Sequence, residues 1–263
     1  MKTTTISNLN AMKAAGEKFA VITAYDYTFS RLIETAGIEV TLVGDSLGNV
    51  IQGRDSTIPV SVDEMAYHTE IVKRGNSRTL LMTDMPFMSY ASESQALDNA
   101  AILMHAGAQM VKLEGGEWLA ETVFMLTERG IPVCGHVGLT PQSVHKLGGY
   151  KVQGKEEDAA QRMIQEAQIL EEAGADLMVV ECVPSSLGKN LADSLNIPVI
   201  GIGAGPDTDA QVLVLQDMLG ISQRLPKFSK NFLEQSSTIQ QAIINYGNEV
   251  RAGTFPASEH CFK

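Results

Sequence analysis

The chain has 263 residues, 44% of them hydrophobic, and a formal net charge of −11 at pH 7. This composition is that of a globular protein with a sizeable core, and it excludes a disordered chain. The acidic balance and the lack of any basic run argue against nucleic acid or an anionic membrane as a partner. The polar N-terminal segment, the lack of an apolar run of membrane-spanning length and three scattered cysteines predict a soluble cytoplasmic protein.

Apolar runs typical of strands alternate with helix patterns along most of the chain. A short helix over residues 4–15 is predicted before the first strand, where it could cover the bottom of a barrel. An eighth strand is expected within 220–226, although the pattern there is poor, and a helical region over 231–253 ends the chain. The seven clear strands are predicted over 19–26, 40–45, 78–85, 110–115, 132–138, 176–183 and 198–205.

The intervening helices carry start and stop signals. Ser61 and Glu64 form the pattern of a capping box, and Gln95 follows Ser92 in the same way. Two further helices, predicted over 117–130 and 155–174, end on glycine. Strict alternation over this length predicts a single (β/α)8 TIM barrel domain over residues 1–263. An open, doubly wound sheet is the alternative fold.

Carboxylates recur where the predicted strands end. Asp45, Asp84, Glu114 and Glu181 each close an apolar run. In a parallel barrel these ends share one rim, so the side chains should converge there and repel one another unless a cation or a proton intervenes. Mg²⁺ suits such oxygen ligands, with Asp45 and Asp84 as first ligands and Glu114 as a third, water-mediated one. The alternative is that each aspartate only caps the following turn.

Three further residues are candidates for chemistry. Lys112 stands two positions before Glu114, so both side chains face the same side of the strand. Lys112 could receive a substrate carboxylate, pair with a neighbouring carboxylate, or form a Schiff base. Burial would raise the pKa of Glu181 and make it a better general base, although a buried ion pair is an alternative. His136 is either a substrate contact or a hydrogen-bonded core residue.

Several long phrases, in this order, resemble the ketopantoate hydroxymethyltransferase family. They are VGDSLGNVIQGRDSTIPV, AYHTEIVKRG, TDMPFMSY, KLEGGEW, PVCGHVGLTPQS, GGYKVQGK, VVECVP and IPVIGIGAG, and the similarity runs from about Thr4 to the end of the chain. The resemblance implies a barrel of the phosphoenolpyruvate/isocitrate-lyase type and transfer of a hydroxymethyl group to 3-methyl-2-oxobutanoate in pantothenate synthesis. It also implies Mg²⁺, 5,10-methylenetetrahydrofolate as one-carbon donor, and a homodecamer.

The same resemblance implies roles for single residues. Asp45 and Asp84 would ligate Mg²⁺ with Glu114 nearby, and Glu181 would be the catalytic base. Asp45, Ser46, Asp84 and Lys112 would contact the keto acid. The competing functions are a Mg²⁺-dependent lyase or mutase of the same barrel superfamily, and a silent keto-acid or metal-binding protein. The lyase reading expects a nucleophilic cysteine loop of Lys-Lys-Cys-Gly-His type, which the sequence lacks.

Overall fold

The computed structural model describes residues 3–263; residues 1 and 2, which begin the predicted domain range, lie outside the described residues. Eight parallel strands pair in chain order, and the last pairs with the first, so the sheet closes into a barrel. This closure confirms the predicted barrel over the open sheet. The strands are β1 Phe19–Thr23, β2 Val40–Val43, β3 Leu80–Asp84, β4 Met110–Glu114, β5 Val133–Gly138, β6 Leu177–Glu181, β7 Val199–Ile202 and β8 Ala210–Leu213.

Helices surround the barrel, and those after Ser61 and Ser92 begin where their capping residues predict. The Ser61 hydroxyl accepts the backbone N–H of Glu64, whose carboxylate accepts the N–H of Ser61, so the predicted capping box is present. The helices are α1 Ile6–Ala15, α2 Tyr27–Thr35, α3 Leu47–Val50, α4 Val62–Gly75, α5 Glu93–His105, α6 Ala120–Thr127, α7 Val144–Leu147, α8 Glu157–Glu172, α9 Ser185–Ser194, α10 Leu215–Met218 and α11 Ile239–Arg251. No helix within residues 3–263 is both long and apolar enough to cross a membrane.

Alternate residues of each strand face the barrel interior, and the interior changes character along its axis. Its lower part is apolar and is filled by side chains such as Phe19, Val40, Leu80 and Met110. Following the same alternation upward on β3 and β4 leads to Asp84, Lys112 and Glu114. The interior is therefore a packed core at the amino ends of the strands and a charged chamber at the carboxyl ends.

Helix α1 covers the amino ends of the strands, as predicted. The Leu9 side chain is fully buried and belongs to the same apolar cluster as Phe19 and Val40, with Ile6 and Met12 packed against that cluster. The Thr5 hydroxyl starts the helix by accepting the backbone N–H of Asn8. This cover keeps water out of the apolar half of the barrel.

Leu9→Ala is expected to lower the free energy of unfolding by about 2–5 kcal/mol, because a fully buried leucine leaves a cavity at the barrel bottom. The midpoint of urea denaturation measures the change. Leu225→Ala is the matched control, since Leu225 is 41% exposed. A midpoint for Leu9→Ala equal to that of the control would contradict the role of α1 as a packed cover.

The seam between the first and last strands is held from outside by the C-terminal helix. The buried Tyr246 hydroxyl on α11 lies 2.8 Å from the carbonyl oxygens of Val21 on β1 and Gln211 on β8. Its ring packs edge-on against Phe232 and Phe255. Helix α11 thus belongs to the closure of the barrel.

The predicted eighth strand was wrong. Residues 220–226 contain no strand, and β8 lies earlier, at Ala210–Leu213. The chain passes from β7 to β8 through residues 203–209 without a helix, and Gly203 and Gly205 turn it with positive φ angles of 62° and 84°. Regular strand–helix alternation fails at this one connection. A prediction that assumes a helix between β7 and β8 therefore places the eighth strand too late in the sequence.

The C-terminal helix is shorter than the predicted region 231–253. Helix α11 begins after Thr238, whose hydroxyl accepts the backbone N–H of Gln241. Upstream, the Asn231 side chain accepts the backbone N–H groups of Leu233 and Glu234. Such local side-chain bonds compete with helix formation, which explains the later start.

Candidate active site

The carboxylates predicted at the strand ends do converge on one rim. Asp84, Glu114 and Glu181 are the last residues of β3, β4 and β6, and Asp45 lies two residues beyond β2. All four are largely buried; Glu181 keeps the most exposure, with 13% of its side chain accessible. We call Asp45, Asp84, Lys112, Glu114, His136 and Glu181 the rim cluster.

Asp45 and Asp84 are held together by a direct contact. The backbone N–H of Asp45 donates to Asp84 Oδ2 at 3.0 Å. A Cβ at Gly44 would lie 2.8 Å from Ser46 Oγ, so the glycine leaves room for the Ser46 hydroxyl. Ser46 itself is half-buried, and its hydroxyl lies 2.8 Å from that of Tyr25. The turn after β2 thus brings Asp45 and Ser46 to the Asp84 carboxylate.

The strand register places cation and carboxylate side by side. Lys112 pairs with Asp84 across β3 and β4, and its Nζ lies 2.9 Å from Asp84 Oδ1 and 3.5 Å from Glu114 Oε1. The sequence alternative of a structural ion pair for Lys112 is therefore present. Asp84 Oδ1 is buried and makes no well-aligned hydrogen bond with the described residues, so its contact with Lys112 is mainly one of charge.

His136 stands between two carboxylates. It pairs in register with Glu114, and its Nδ1 lies 3.3 Å from Glu114 Oε1 while its Nε2 lies 3.4 Å from Glu181 Oε2. Neither nitrogen makes a well-aligned hydrogen bond within residues 3–263, so the interaction is mainly one of charge. His136 links the part of the cluster around Lys112 to Glu181.

Glycine leaves room for Glu181. Gly138 pairs with Glu181 across β5 and β6, has a φ of 95°, and a Cβ there would lie 2.4 Å from the Glu181 carbonyl oxygen. The residue after Glu181, Cys182, also has a positive φ, of 48°. Strained backbone of this kind is costly and is often retained at functional sites.

The cluster carries more negative than positive charge. Burial opposes the charge on Lys112, but Asp84, Glu114 and Asp45 outweigh it and raise the Lys112 pKa well above its ordinary value. Burial and Lys112 likewise oppose charge on His136, yet Glu114 and Glu181 raise its pKa to about 9. Four carboxylates thus face two cationic groups near neutral pH. With all four carboxylates ionised, the surplus of two negative charges would equal the charge of one divalent cation.

The pKa values of the carboxylates shift in different directions. Burial, reinforced by Asp84 and Glu114, raises the pKa of Asp45 well above its ordinary value. Burial alone would also raise the pKa of Glu114, but Lys112 and His136 lower it to about 2. Burial raises the pKa of Glu181, with His136 working against it. Asp45 is therefore the group that most lacks a positive partner, and Glu181 is a strengthened base.

Two residues that the sequence reasoning missed hold the cluster in place. The Gln142 side-chain N–H groups donate to Asp45 Oδ2 and to the Met85 carbonyl, each at 2.9 Å, and its backbone N–H donates to Glu114 Oε2 at 3.0 Å. The Tyr90 hydroxyl bonds the Gln142 side-chain oxygen and accepts the backbone N–H of Glu114. Tyr90 lies in a turn and Gln142 in a short 3₁₀ helix, and neither carries a charge at neutral pH. Only their presence in the phrases TDMPFMSY and PVCGHVGLTPQS could have signalled them.

Solved structures with the same architecture share the fold at low sequence identity. A phosphonopyruvate hydrolase, solved in complex with oxalate and Mg²⁺, superposes with a TM-score of 0.62 at 15% identity and covers 81% of both chains. A 2,3-dimethylmalate lyase, described as a phosphoenolpyruvate mutase/isocitrate lyase superfamily member, gives a TM-score of 0.58 at 15% identity with the same coverage. These likenesses confirm the predicted (β/α)8 barrel fold.

Sequence comparison is more specific. The 3-methyl-2-oxobutanoate hydroxymethyltransferase of Shewanella loihica is 58% identical over 263 residues, covering all of both chains. The enzyme of the same name from Erwinia tasmaniensis is 57% identical over 264 residues, again covering both chains completely. The model of the family described as ketopantoate hydroxymethyltransferase matches residues 3–258. The chain therefore belongs to the ketopantoate hydroxymethyltransferase family.

Proposed function

We propose that the chain catalyses a Mg²⁺-dependent aldol-type transfer of a hydroxymethyl group from 5,10-methylenetetrahydrofolate to 3-methyl-2-oxobutanoate, giving 2-dehydropantoate. The observation that carries the proposal is the rim cluster, in which three buried carboxylates and the largely buried Glu181 face two cationic side chains. Full-length similarity to enzymes named for this reaction supports the same substrate. The homodecamer implied by the resemblance and the cytoplasmic location inferred from the composition stay predictions.

The rim cluster fits a magnesium ion. Asp84 Oδ1 is buried and makes no well-aligned hydrogen bond with the described residues, and burial with repulsion by Asp84 and Glu114 outweighs the attraction of Lys112 at Asp45. No three Asp, Glu, His or Cys side chains within residues 3–263 form a ready-made metal site. Two carboxylates are what Mg²⁺ usually takes from a protein, with waters and substrate oxygens completing the shell. Asp45 and Asp84 would hold the ion. The Glu114 oxygens already contact Lys112 and the Gln142 backbone N–H, so Glu114 would influence the ion only indirectly.

Bound Mg²⁺ would polarise the ketone of the substrate and stabilise the negative charge of its enolate. Lys112 and the Ser46 hydroxyl would orient the substrate carboxylate, with His136 as a further contact. Glu181 would remove the proton from C3, because burial raises its pKa and so strengthens it as a base. Water supplies the hydroxyl oxygen: it adds to the methylene carbon of the donor as both carbon–nitrogen bonds of that carbon break, which releases tetrahydrofolate and leaves formaldehyde. The C3 carbanion then forms the carbon–carbon bond to the formaldehyde carbon, and the oxygen takes up the proton that Glu181 removed.

The chain incubated with 3-methyl-2-oxobutanoate, methylenetetrahydrofolate and Mg²⁺ is expected to form 2-dehydropantoate. EDTA should stop product formation, and excess Mg²⁺ should restore it, because the carboxylate surplus needs a divalent ion. Chromatography of the product with omission of each component measures the outcome. Absence of product in the complete mixture, from a folded protein, would refute the proposed function.

Loss of the Gln142 side-chain amide is expected to weaken Mg²⁺ binding by about 10–100-fold, because groups that orient metal ligands typically contribute that much. Gln142→Met keeps the length of the side chain and removes its hydrogen bonds to Asp45 and Met85. Calorimetric titration with Mg²⁺ measures the affinity directly. Gln211→Met is the control, since Gln211 is equally buried and its side chain bonds only Gly205 and Thr208. Unchanged Mg²⁺ affinity in Gln142→Met would contradict this role.

The alternative, a Mg²⁺-dependent lyase or mutase acting on a 2-oxo acid, shares the fold and the cation. The thiols near the cluster are poor nucleophiles, since burial raises the pKa of Cys134 to about 12 and raises that of Cys182 well above its ordinary value. This chemistry favours the transferase. Turnover of a 2-oxo acid without folate would support the alternative instead.

A further inference from the structure

A cavity of about 540 Å³ lies on the same rim as the cluster. One wall comes from the loop between α3 and α4, with Asp55, Ser56 and Pro59. The other comes from the segment that follows β5, with Val144 and Tyr150. Cavities of this size hold small-molecule ligands and cofactors.

The cavity and the cluster are neighbours. Val144 is two residues from Gln142, whose side chain bonds Asp45. The Tyr150 hydroxyl is near enough to the cluster for the negative charges of Glu181, Asp45 and Glu114 to add to the effect of burial and raise its pKa. A molecule in the cavity would therefore adjoin a keto acid held at Asp45 and Asp84.

The walls of the cavity suit a flat, nitrogen-rich ring. Tyr150 leaves 58% of its surface exposed, and its ring, with Val144 on the same wall and Pro59 on the other, offers an apolar surface against which an aromatic ring can stack. Asp55 is an exposed carboxylate with no hydrogen bond or ion pair among the described residues. A pterin presents an amino group and a ring N–H on one edge, and a carboxylate accepts both donors.

Charge decides the orientation of such a molecule. The glutamate tail of a folate is anionic and would be repelled by the carboxylate surplus of the rim cluster. Lys146 and Lys151 are exposed in the segment that borders the cavity, and Lys151 Nζ lies 3.1 Å from the position of a Cβ on Gly148. The ring would lie inward and the tail outward, toward these lysines.

We propose that this cavity is the binding site for the pteridine end of the one-carbon donor, with Tyr150 as stacking surface and Asp55 as acceptor for its N–H edge. The inference rests on the proposed function, because that reaction requires a donor carbon to come within about 3–3.5 Å of C3 of the keto acid. The site explains how a folate could reach the cluster without carrying its own anionic tail into it.

Tyr150→Ala and Asp55→Asn are each expected to raise the KM for methylenetetrahydrofolate about tenfold, a change equal to about 1.4 kcal/mol. Calorimetric titration with tetrahydrofolate should show the same loss of affinity. The KM for the keto acid should change less than twofold in both variants, because its contacts lie at the rim cluster. Tyr67→Ala and Asp63→Asn are matched controls, since both residues are exposed on α4 and do not line the cavity.

A half-reaction separates this inference from the proposed function. Exchange of the C3 proton of 3-methyl-2-oxobutanoate with deuterated water requires the cluster and no folate. Wild-type exchange and turnover, with a raised folate KM only in the cavity variants, would support the site. An unchanged KM for folate in both variants would overturn the proposed cavity site. It would do so whether another surface binds the donor or a second copy of the chain covers the cavity. Failure of wild-type protein to exchange or turn over would instead refute the proposed function.

Discussion

Replacement of Asp84 by asparagine is expected to reduce Mg²⁺-dependent turnover by about a thousandfold or more. A loss of that size corresponds to about 4 kcal/mol of transition-state stabilisation, which is within what a bound cation supplies when charge develops on a ketone oxygen. Asparagine keeps the shape of the side chain and an acceptor for the Asp45 backbone N–H, but it removes one of the two charges that would hold the ion. Initial rates against Mg²⁺ concentration measure the loss.

The free energy of unfolding of Asp84→Asn should fall by less than the loss of a buried ion pair usually costs. Removing one partner of such a pair costs about 3–5 kcal/mol when the other charge is left alone. Lys112 would keep Glu114 at 3.5 Å, and Asp45 would lose the repulsion that raises its pKa. The two gains oppose the loss, so Asp84→Asn should fold and its urea midpoint should fall only moderately. Asp84→Ala, which also removes the acceptor for Asp45, should be the less stable variant.

Asp63→Asn is the control for a removed carboxylate, because Asp63 is exposed in the first turn of α4 and does not belong to the rim cluster. Calorimetric titration with Mg²⁺ gives a readout apart from turnover, and Asp84→Asn should show no measurable binding where wild type does. Turnover of Asp84→Asn within threefold of wild type at limiting Mg²⁺ would remove Asp84 from the cation site.

Most strands of the barrel, and the convergence of four carboxylates on one rim, can be predicted from local sequence. Buried parallel strands appear as continuous apolar runs, so seven strands were located by their composition alone. The rule that strand ends share a rim then predicted that Asp45, Asp84, Glu114 and Glu181 would converge. Neither step depends on contacts between distant parts of the chain.

What escaped prediction depends on such contacts. Gln142 bonds Asp45, which is 97 residues away in sequence, and an uncharged amide in a short 3₁₀ helix gives no local sign of that role. The charge surplus also follows from three-dimensional neighbours, since the Lys112–Asp84 and His136–Glu114 pairs depend on strand register. The direct β7–β8 connection broke a pattern that held elsewhere, and only closure of the sheet identifies β8.

Glu181→Gln is expected to slow exchange of the C3 proton of 3-methyl-2-oxobutanoate with deuterated water by about 10²–10⁴-fold, the usual contribution of a positioned base. Glutamine fills the same volume beside Gly138 and can still face His136, so the fold and the keto-acid site should persist. Proton NMR of the keto acid in deuterated buffer, without folate, follows the step directly. Binding of the keto acid, measured by calorimetry in Mg²⁺, should change less than threefold.

The separation of binding from exchange is what identifies a base. Loss of both would mean that Glu181 mainly holds the site together, through His136 and the strained backbone at Cys182. Glu166→Gln is the matched control, because burial also raises the pKa of Glu166, yet it lies on α8 outside the barrel interior. If Glu166→Gln slowed exchange as much as Glu181→Gln, a general loss of acidic charge would explain both. Rapid exchange in Glu181→Gln with intact binding would assign proton removal to another group of the rim cluster.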